Sequence, residues 1–216
     1  MINCKHIIWD WNGTLINDSW VCVEILNTLL VQYGKETTTH EAYLKEFGFP
    51  VAAYYEHLGF DFSVDPFDTI ADEYIDRYST RQYECGLYEG TNTVLEALNH
   101  IPMPQSILSA YHQDYLTEAV TRFQVNHFFE QIKGRGDHYA TSKVEAGHDL
   151  IGRLGLHAEQ ALLIGDTLHD LEVANALGMQ CILISQGHQT ADRLADANVL
   201  VVDDISQIPN QIQPHA

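Results

Sequence analysis

The segment HIIWDWNGTLIND, from His6 to Asp18, decides the fold prediction. It begins with a short apolar run that ends at the carboxylate Asp10. The Asn12-Gly13 pair that follows is a strong signal of a two-residue hairpin turn. The segment therefore has two interpretations: a turn that joins antiparallel strands, or a loop that carries an acid at the end of a buried parallel strand.

Further apolar runs along the chain favour the second interpretation. These runs are nearly continuous in apolar character rather than alternating, which is typical of strands covered on both faces of a parallel sheet. Amphipathic helical patterns lie between them. The alternation predicts an α/β fold with a doubly wound, Rossmann-like parallel sheet. The strand patterns lie at 6–10, 105–110, 161–166, 180–185 and 198–203, with a weaker one at 130–134.

Residues 16–83 interrupt this alternation. They hold amphipathic helical patterns, such as SWVCVEILNTLLVQYG at 19–34, and no convincing buried strand. We therefore predict a helical cap at 16–83, inserted into an α/β core formed by residues 1–15 and 84–216. Because no Ser- or Gly-rich linker is present, the cap should be joined to the core by short hinges.

Charge and composition restrict the partners. The 216 residues include 11 basic and 30 acidic side chains, for a net charge of −19, which would repel a nucleic-acid backbone. The four cysteines lack metal-like spacing, and no apolar run approaches the ~18 residues of a membrane helix. We expect a cytoplasmic monomer or homodimer that binds neither nucleic acid nor membrane.

Polar side chains follow three of the predicted strands at the point where each strand ends. Asp10, Ser109 and Asp166 hold these positions, and Asp170 lies one helical turn after Asp166. Each residue alone is better explained as a turn, a cap or a surface acid, but ligands of parallel sheets bind at this edge. Clustered carboxylates repel one another unless a cation lies among them, and their hard oxygens suit Mg²⁺. Lys143 would supply the positive charge that a phosphate needs.

Four motifs now occur in order: DWNGTL, ILSA, SK and GDTLHD. This series resembles the haloacid dehalogenase superfamily, and the layout resembles its phosphoglycolate phosphatase-like branch, with a helical cap after the first strand. The resemblance extends over nearly the whole chain. It implies a Mg²⁺-dependent phosphatase that acts on a small phosphorylated metabolite.

The resemblance also implies a nucleophile and a metal site. Asp10 would form an aspartyl-phosphate, which divides hydrolysis into two steps. Mg²⁺ would be held by Asp10, Asp166 and the backbone carbonyl of Asn12. Asp170 would bind the metal through water or orient Lys143.

A second group of residues would hold the phosphoryl oxygens. The resemblance assigns this role to the Ser109 side chain and to the amides of Gly13, Thr14 and Ala110. Lys143 would neutralise the charge on these oxygens. Such positioning and charge stabilisation are the main source of catalysis in phosphoryl transfer.

Asn12 departs from the family pattern. Phosphatases of the family usually carry an aspartate at this position, which protonates the leaving oxygen and then activates water. An amide cannot transfer protons near neutral pH, and losing that help should cost ~10²- to 10⁴-fold in rate, or about 3 to 5 kcal/mol. Three hypotheses follow: another proton carrier such as His112 or His169, a substrate with a good leaving group such as an acyl phosphate, or a catalytically impaired phosphate-binding regulatory protein. A working or slow phosphatase is favoured, because Asp10, Lys143 and the other site residues are retained.

Two other enzyme classes are weaker alternatives. The pairs His148-Asp149 and His169-Asp170 occur in metal phosphohydrolases with an HD pair, but those sites are built on all-helical scaffolds. Haloacid dehalogenation would use an Asp nucleophile without Mg²⁺, so metal dependence distinguishes it.

Substrate specificity should lie in the cap, because a cap closes over the substrate and excludes water. Aromatic residues at the spacings found here more often form the core of a cap than line a substrate pocket. The cap contains only four Lys and Arg residues. The aromatics considered are Tyr43, Phe47, Tyr54 and Tyr55, and the basic residues are Lys35, Lys45, Arg77 and Arg81.

Overall fold

The computed structural model describes residues 1–101, 103–136 and 142–214. Strands and helices alternate through most of the chain after residue 84, as the apolar runs predict. The strands are β1 (Ile2–Cys4), β2 (His6–Trp9), β3 (Ile16–Asn17), β4 (Gly86–Leu87), β5 (Gln105–His112), β6 (Gln131–Arg135), β7 (Ala161–Gly165), β8 (Gln180–Ile184), β9 (Leu200–Val202) and β10 (Ile212–Pro214). The α-helices are α1 (Ser19–Gln32), α2 (His40–Glu46), α3 (Val51–His57), α4 (Phe67–Arg81), α5 (Thr91–Asn99), α6 (Gln113–Arg122), α7 (Lys143–Leu154), α8 (Leu168–Leu177) and α9 (Ala191–Leu194).

The central sheet has six strands in the order β6-β5-β2-β7-β8-β9, and the paired strands run parallel. The chain first builds one side of β2, through β5 and β6, and then crosses over to build the other side through β7, β8 and β9. The direction of winding therefore reverses at β2, and such a switch point is where parallel sheets bind their ligands. The predicted α/β fold with a doubly wound parallel sheet is confirmed.

Both faces of the sheet are buried, which explains why the strand sequences are nearly continuously apolar. Successive residues of a strand point to opposite faces. Ile7 and Trp9 of β2 accordingly belong to one apolar cluster, while Ile8 between them belongs to a second cluster with Leu163 of β7 and Leu150 of α7.

The ends of the helices agree in part with the sequence signals. Gly178 ends α8 in the left-handed conformation, at φ 78°, as a C-cap glycine should. The N-cap of α5 is Gly90, at φ 84°, and not one of the Ser, Thr, Asn or Asp residues that signal a helix start most strongly. Among the described residues, no helix is long and apolar enough to cross a membrane.

Residues 19–81 form the four helices α1 to α4, where the sequence predicts the cap. The chain enters and leaves this region through β3 and β4, which pair antiparallel, with Ile16 opposite Leu87. The sequence predicts the hinges near 15–18 and 84–88, and each range contains one of these strands. Two-residue strands have no periodicity that a sequence could show. The division of the chain into cap and core stays a prediction.

The hairpin interpretation of Asn12-Gly13 is wrong. Gly13 has φ +74°, and its amide donates to the carbonyl of Ile16, so the chain makes a tight loop directly after β2. The segment then continues into the helix α1 instead of returning along β2. The loop therefore lies at the carboxyl end of the central strand.

A buried histidine in β2 should make stability depend on pH. His6 is 2% exposed, its Nε2 lies 2.9 Å from Ser106 Oγ, and burial lowers the pKa of His6 to about 4. The unfolded chain takes up the proton near pH 6.5 and the folded chain only near pH 4, so stability is lost as the pH falls between these values. When the pH falls from 8 to 5, the free energy of unfolding should decrease in both proteins. We expect this decrease to be ~2 kcal/mol larger in the wild type than in His6→Gln.

Urea unfolding at the two pH values measures this difference. The control is His100→Gln, which changes an exposed histidine and should keep the wild-type pH dependence. Equal pH dependence in wild type and His6→Gln would contradict the assignment.

Candidate active site

Three buried carboxylates meet at the switch point of the sheet. Asp10 follows β2, Asp166 follows β7, and Asp170 lies in the first turn of α8. One oxygen of each lies within 4.8 Å of the others. Lys143, the first residue of α7, reaches the same point: its Nζ lies 2.5 Å from Asp10 Oδ1 and 2.6 Å from Asp170 Oδ1. The structure thus brings together three parts of the sequence that lie far apart: Asp10, Lys143, and the pair Asp166 and Asp170.

Asp170 is positioned by several donors at once. Its Oδ1 accepts from Lys143, and its Oδ2 accepts from the amides of Asp166 and Thr167 and from the Thr167 hydroxyl at 2.7 Å. A Cβ at Gly165 would lie 2.3 Å from the Asp170 carboxyl carbon, so only glycine lets the strand pass this close. The contact with Lys143 is the one that the expected orienting role of Asp170 requires, and binding of the metal through water stays a prediction.

The charges of the cluster are only partly balanced. Burial raises the pKa of Asp10, and the carboxylates of Asp170 and Asp166 raise it further against the opposing charge of Lys143. Burial also raises the pKa of Asp166. Burial acts in the same direction on Asp170, but Lys143 outweighs it and holds the pKa of that carboxyl below its usual value. One lysine beside three buried acids leaves an excess of negative charge that a cation would relieve.

The donor set fits Mg²⁺. Carboxylate oxygens are the ligands that this hard cation prefers. Lys143 contacts Oδ1 of Asp10, which leaves Oδ2 for the metal or the substrate. Asp166 is held by Thr14 Oγ1 at 3.1 Å and by the amide of His188 at 2.6 Å. The predicted ligands Asp10 and Asp166 are therefore oriented side by side, and metal binding stays a proposal.

The expected phosphate donors divide into two pairs. Ser109, which is buried, and Ala110 line the same cavity as Asp10 and Lys143. Gly13 and Thr14 do not line it: the amide of Gly13 donates to Asp18 Oδ1 at 2.9 Å, and the Thr14 hydroxyl donates to Asp166. The Gly13 amide already has a carboxylate of the chain as its acceptor in this structure, and its contact with phosphate stays a prediction.

Asn12 is held in a buried hydrogen-bond network. Its Nδ2 donates to Asp18 Oδ2 at 2.8 Å and to the Tyr78 hydroxyl at 2.6 Å. Tyr78 in turn donates to Asp18 Oδ2 at 2.6 Å, and His188 Nε2 lies 3.2 Å from Asp18 Oδ1. The position that usually carries the acid–base aspartate thus presents its amide to a second carboxylate, Asp18.

His188 balances the charge of Asp18. Its Nδ1 lies 2.8 Å from the Tyr43 hydroxyl. Burial disfavours the charged ring, but Asp18 outweighs burial and raises the pKa of His188 to about 9. Asp18, His188 and Cys22 could also be taken for a second metal site, since their ligand atoms are close together. Their atoms already contact one another, with Cys22 Sγ 3.7 Å from Asp18 Oδ2, so the group is better explained as an ion pair with its hydrogen bonds.

The two histidines proposed as proton carriers, His112 and His169, both line the cavity. His169 stacks on Phe49 of the cap, with 4.4 Å between ring centroids, and its Nδ1 lies 3.2 Å from Glu172 Oε2. Their roles in proton transfer stay a prediction.

Sequence reasoning missed several residues that the structure places at the site. His188 follows β8, so the rule that places site residues after strands could have found it. Asp18 and Tyr78 carry no comparable signal, because their contacts with Asn12 depend on how α1 and α4 pack. The residues missed are Asp18, Tyr78, Arg135 and His188.

The cavity itself has a volume of about 500 Å³ and extends from Asp10 into the helices α1 to α4. The aromatics Tyr43, Phe47, Tyr54 and Tyr55, which the sequence assigns to the cap's own core, do pack into that core. They also line the cavity. The expectation that they are core rather than pocket residues is therefore only half right.

Comparison with known families shows to which family the chain belongs. The family model described as haloacid dehalogenase-like hydrolase matches residues 7–184. The chain belongs to the haloacid dehalogenase-like hydrolases. Its match begins in β2 and ends with β8, so it includes all the acids of the site, and the predicted superfamily is confirmed.

Relatives of this hydrolase are distant but extend over most of the chain. A phosphoglycolate phosphatase of Pseudomonas savastanoi pv. phaseolicola is 23% identical, with 94% of this chain and 78% of the relative covered. A 5'-nucleotidase of Pseudomonas aeruginosa is 28% identical, with 88% and 86% covered. The structure of a haloacid dehalogenase-like hydrolase from Streptococcus pneumoniae has a TM-score of 0.82 at 21% identity, with 96% and 98% covered. This last likeness shows the fold.

The network around Asn12 should contribute to stability. Tyr78→Phe removes the hydroxyl that donates to the buried Asp18 and accepts from the half-buried Asn12, which leaves each with one partner fewer. We expect the free energy of unfolding to fall by about 1 to 3 kcal/mol. Urea denaturation checks this, with Tyr115→Phe, a change at a partly exposed tyrosine, as the matched control. Equal stability changes in the two variants would contradict the network.

Proposed function

We propose that this hydrolase is a Mg²⁺-dependent phosphatase that cleaves a phosphate monoester through an aspartyl-phosphate on Asp10. The observation that carries the proposal is the setting of Asp10: it ends the central strand, lies at the base of the cavity and is held by the buried Lys143. The prediction of a phosphatase of this superfamily is confirmed by the family model together with the phosphatases among its relatives. The metal, the covalent intermediate and the substrate are proposals.

The reaction would proceed in two steps. Asp10 Oδ2 attacks phosphorus, the bond between phosphorus and the ester oxygen breaks, and the leaving oxygen takes a proton from water. Water then attacks the aspartyl-phosphate, which releases phosphate and restores Asp10. Lys143 orients Asp10 and carries positive charge beside the reacting phosphoryl group, and Ser109 supplies a hydroxyl to it.

Bound Mg²⁺ would add positive charge at the phosphoryl oxygens. The residues proposed to hold it are Asp10, Asp166 and the backbone carbonyl of Asn12, with Asp170 keeping Lys143 in position.

The substrate is proposed to be the phosphate ester of a small metabolite. The names of several relatives suggest phosphoglycolate. The alternative, a catalytically impaired phosphate-binding regulatory protein, is motivated by Asn12, whose amide cannot transfer a proton. That alternative predicts Mg²⁺-dependent phosphate binding without turnover.

Replacement of the nucleophile tests the proposed chemistry. With Mg²⁺ and an aryl phosphate, Asp10→Asn should lower the rate of phosphate release by ~10³-fold or more, because no aspartyl-phosphate can form. The control is Asp114→Asn, which changes an exposed acid of α6 and should keep the wild-type rate. Removing divalent metal with a chelator should abolish release, and adding Mg²⁺ should restore it. Retention of the wild-type rate by Asp10→Asn would reject the nucleophile.

An exchange of two side chains tests the role of position 12. Asn12→Asp alone would place two carboxylates within hydrogen-bond distance, since Asn12 Nδ2 and Asp18 Oδ2 are 2.8 Å apart. The double variant Asn12→Asp with Asp18→Asn keeps an amide facing a carboxylate and puts the acid at position 12. We expect it to raise kcat by ~10-fold or more over wild type, as restored acid–base catalysis should.

The same measurement includes Asn12→Asp and Asp18→Asn singly, and intact masses confirm that Asn12 has not deamidated in the wild type. If the double variant is no faster than either single variant, the missing proton transfer at position 12 does not limit the rate.

A further inference from the structure

The cap side of the cavity is lined by aromatic side chains. They come from α2 to α4 and from the connection between α2 and α3, and they face the acids of the core across the cavity. Aliphatic groups, among them Leu26 of α1 and Val51 of α3, complete this wall. Six of its rings are those of Tyr43, Phe47, Phe49, Tyr54, Tyr55 and Phe67.

Two of the tyrosines at the wall use their hydroxyls within the protein. The Tyr43 hydroxyl lies 2.8 Å from His188 Nδ1, and the Tyr78 hydroxyl donates to Asp18 Oδ2. Their polar atoms are therefore engaged with the network around Asp18. What these side chains offer to a ligand is chiefly the apolar surface of their rings.

The same wall has no cation for an acidic substrate. None of the cap's Lys and Arg side chains lines the cavity, and all of the cap's residues are among those described. They make contacts elsewhere: Lys45 Nζ lies 2.6 Å from Glu41, Arg77 lies 3.4 Å from Glu73, Arg81 lies 2.6 Å from Glu24, and Lys35 Nζ lies 5.8 Å from the ring centroid of Phe60. Among the described residues, the cationic side chains at the cavity are Lys143, Arg135 and His188, which pairs with Asp18. All three belong to the core side, where the phosphoryl group would bind.

The volume of the cavity exceeds the needs of a two-carbon alcohol. At about 500 Å³ it lies within the range of about 300–1,000 Å³ that is typical of pockets for drug-sized ligands. A short alcohol would leave the aromatic wall in contact with water, whereas a larger apolar group would displace that water.

We propose that the alcohol of the substrate carries an aromatic ring or an apolar group of similar size, which packs against the cap wall while the phosphoryl group lies at Asp10. This inference rests on the proposed phosphatase function and names the substrate class for the same site. The proposed class differs from phosphoglycolate. In this cavity the carboxylate of phosphoglycolate would face aromatic rings rather than cations.

A matched pair of esters tests the inference. 2-Phenylethyl phosphate and ethyl phosphate both release a primary alcohol, so they differ in the phenyl ring and little in leaving-group chemistry. We expect kcat/KM to be at least ~10-fold higher for the phenylethyl ester, a difference of about 1.4 kcal/mol. Phosphoglycolate, the third substrate, should also fall below the phenylethyl ester.

Two neighbouring alanines of α3 give a matched pair of variants. Ala52 lines the cavity, while Ala53 is exposed and lies outside its lining. Ala52→Phe fills part of the space for the ring and should lower the ratio of kcat/KM values, phenylethyl over ethyl, by ~5-fold or more. Ala53→Phe adds the same side chain away from the cavity and should keep the wild-type ratio.

The outcomes separate this inference from the function on which it rests. Equal kcat/KM for the two esters, with phosphate release still dependent on Asp10, would overturn the inference alone. The inference would also be overturned if Ala52→Phe, like Ala53→Phe, kept the wild-type ratio of kcat/KM for the phenylethyl ester over the ethyl ester. Phosphate release that does not depend on Asp10 for any ester would overturn the proposed function and the inference together.

Discussion

The repulsion among buried carboxylates is the constraint on which the site depends. Asp10, Asp18, Asp166 and Asp170 all lie buried within one region. In a medium of low dielectric such charges strongly oppose one another unless cations or donors lie between them. Lys143 spans Asp10 and Asp170, and His188 pairs with Asp18. Among the described residues, the site therefore contains two ion-paired groups. The group of Lys143, Asp10 and Asp170, with Asp166 beside it, still has an excess of negative charge that suits a divalent cation.

This arrangement requires backbone that approaches the acids very closely. A Cβ at Gly13 or at Gly187 would lie 2.2 Å from Asp166 Oδ2. Glycine is therefore required at both points, in the loop after β2 and in the loop after β8. The Asn12-Gly13 pair, which resembles a hairpin signal, is thus explained by the packing of a loop around a carboxylate. The same loop brings Asn12 to Asp18 and Tyr78, which links the loop after Asp10 to α1 and α4.

The sequence predicts the sheet and the floor of the site well, because each depends on local signals. Buried parallel strands are continuously apolar, and Asp10 and Asp166 each follow such a strand. Ser109 lies within the last four residues of β5, because that strand continues to His112. The sequence predicts the wall of the site poorly. Tyr78 contacts Asn12 across 66 positions, and His188 contacts Asp18 across 170. Such contacts arise from the packing of helices and loops, which leaves no periodic pattern. The aromatic residues of the cap are ambiguous for a related reason: the same side chains fill the cap's core and line the cavity.

The central claim is that Asp10 forms a covalent phosphoryl intermediate whose hydrolysis is slowed by Asn12. The most direct measurement is mass spectrometry of protein that is quenched with acid during turnover of an aryl phosphate with Mg²⁺. If hydrolysis of the intermediate is slow, it accumulates, and one phosphoryl group should be found on the peptide that contains Asp10. It should be absent from Asp10→Asn and less abundant in the double variant with the acid at position 12. A phosphoryl group on another residue would contradict the account. Turnover by the wild type without any phosphoryl adduct, even in rapidly quenched samples, would also contradict it.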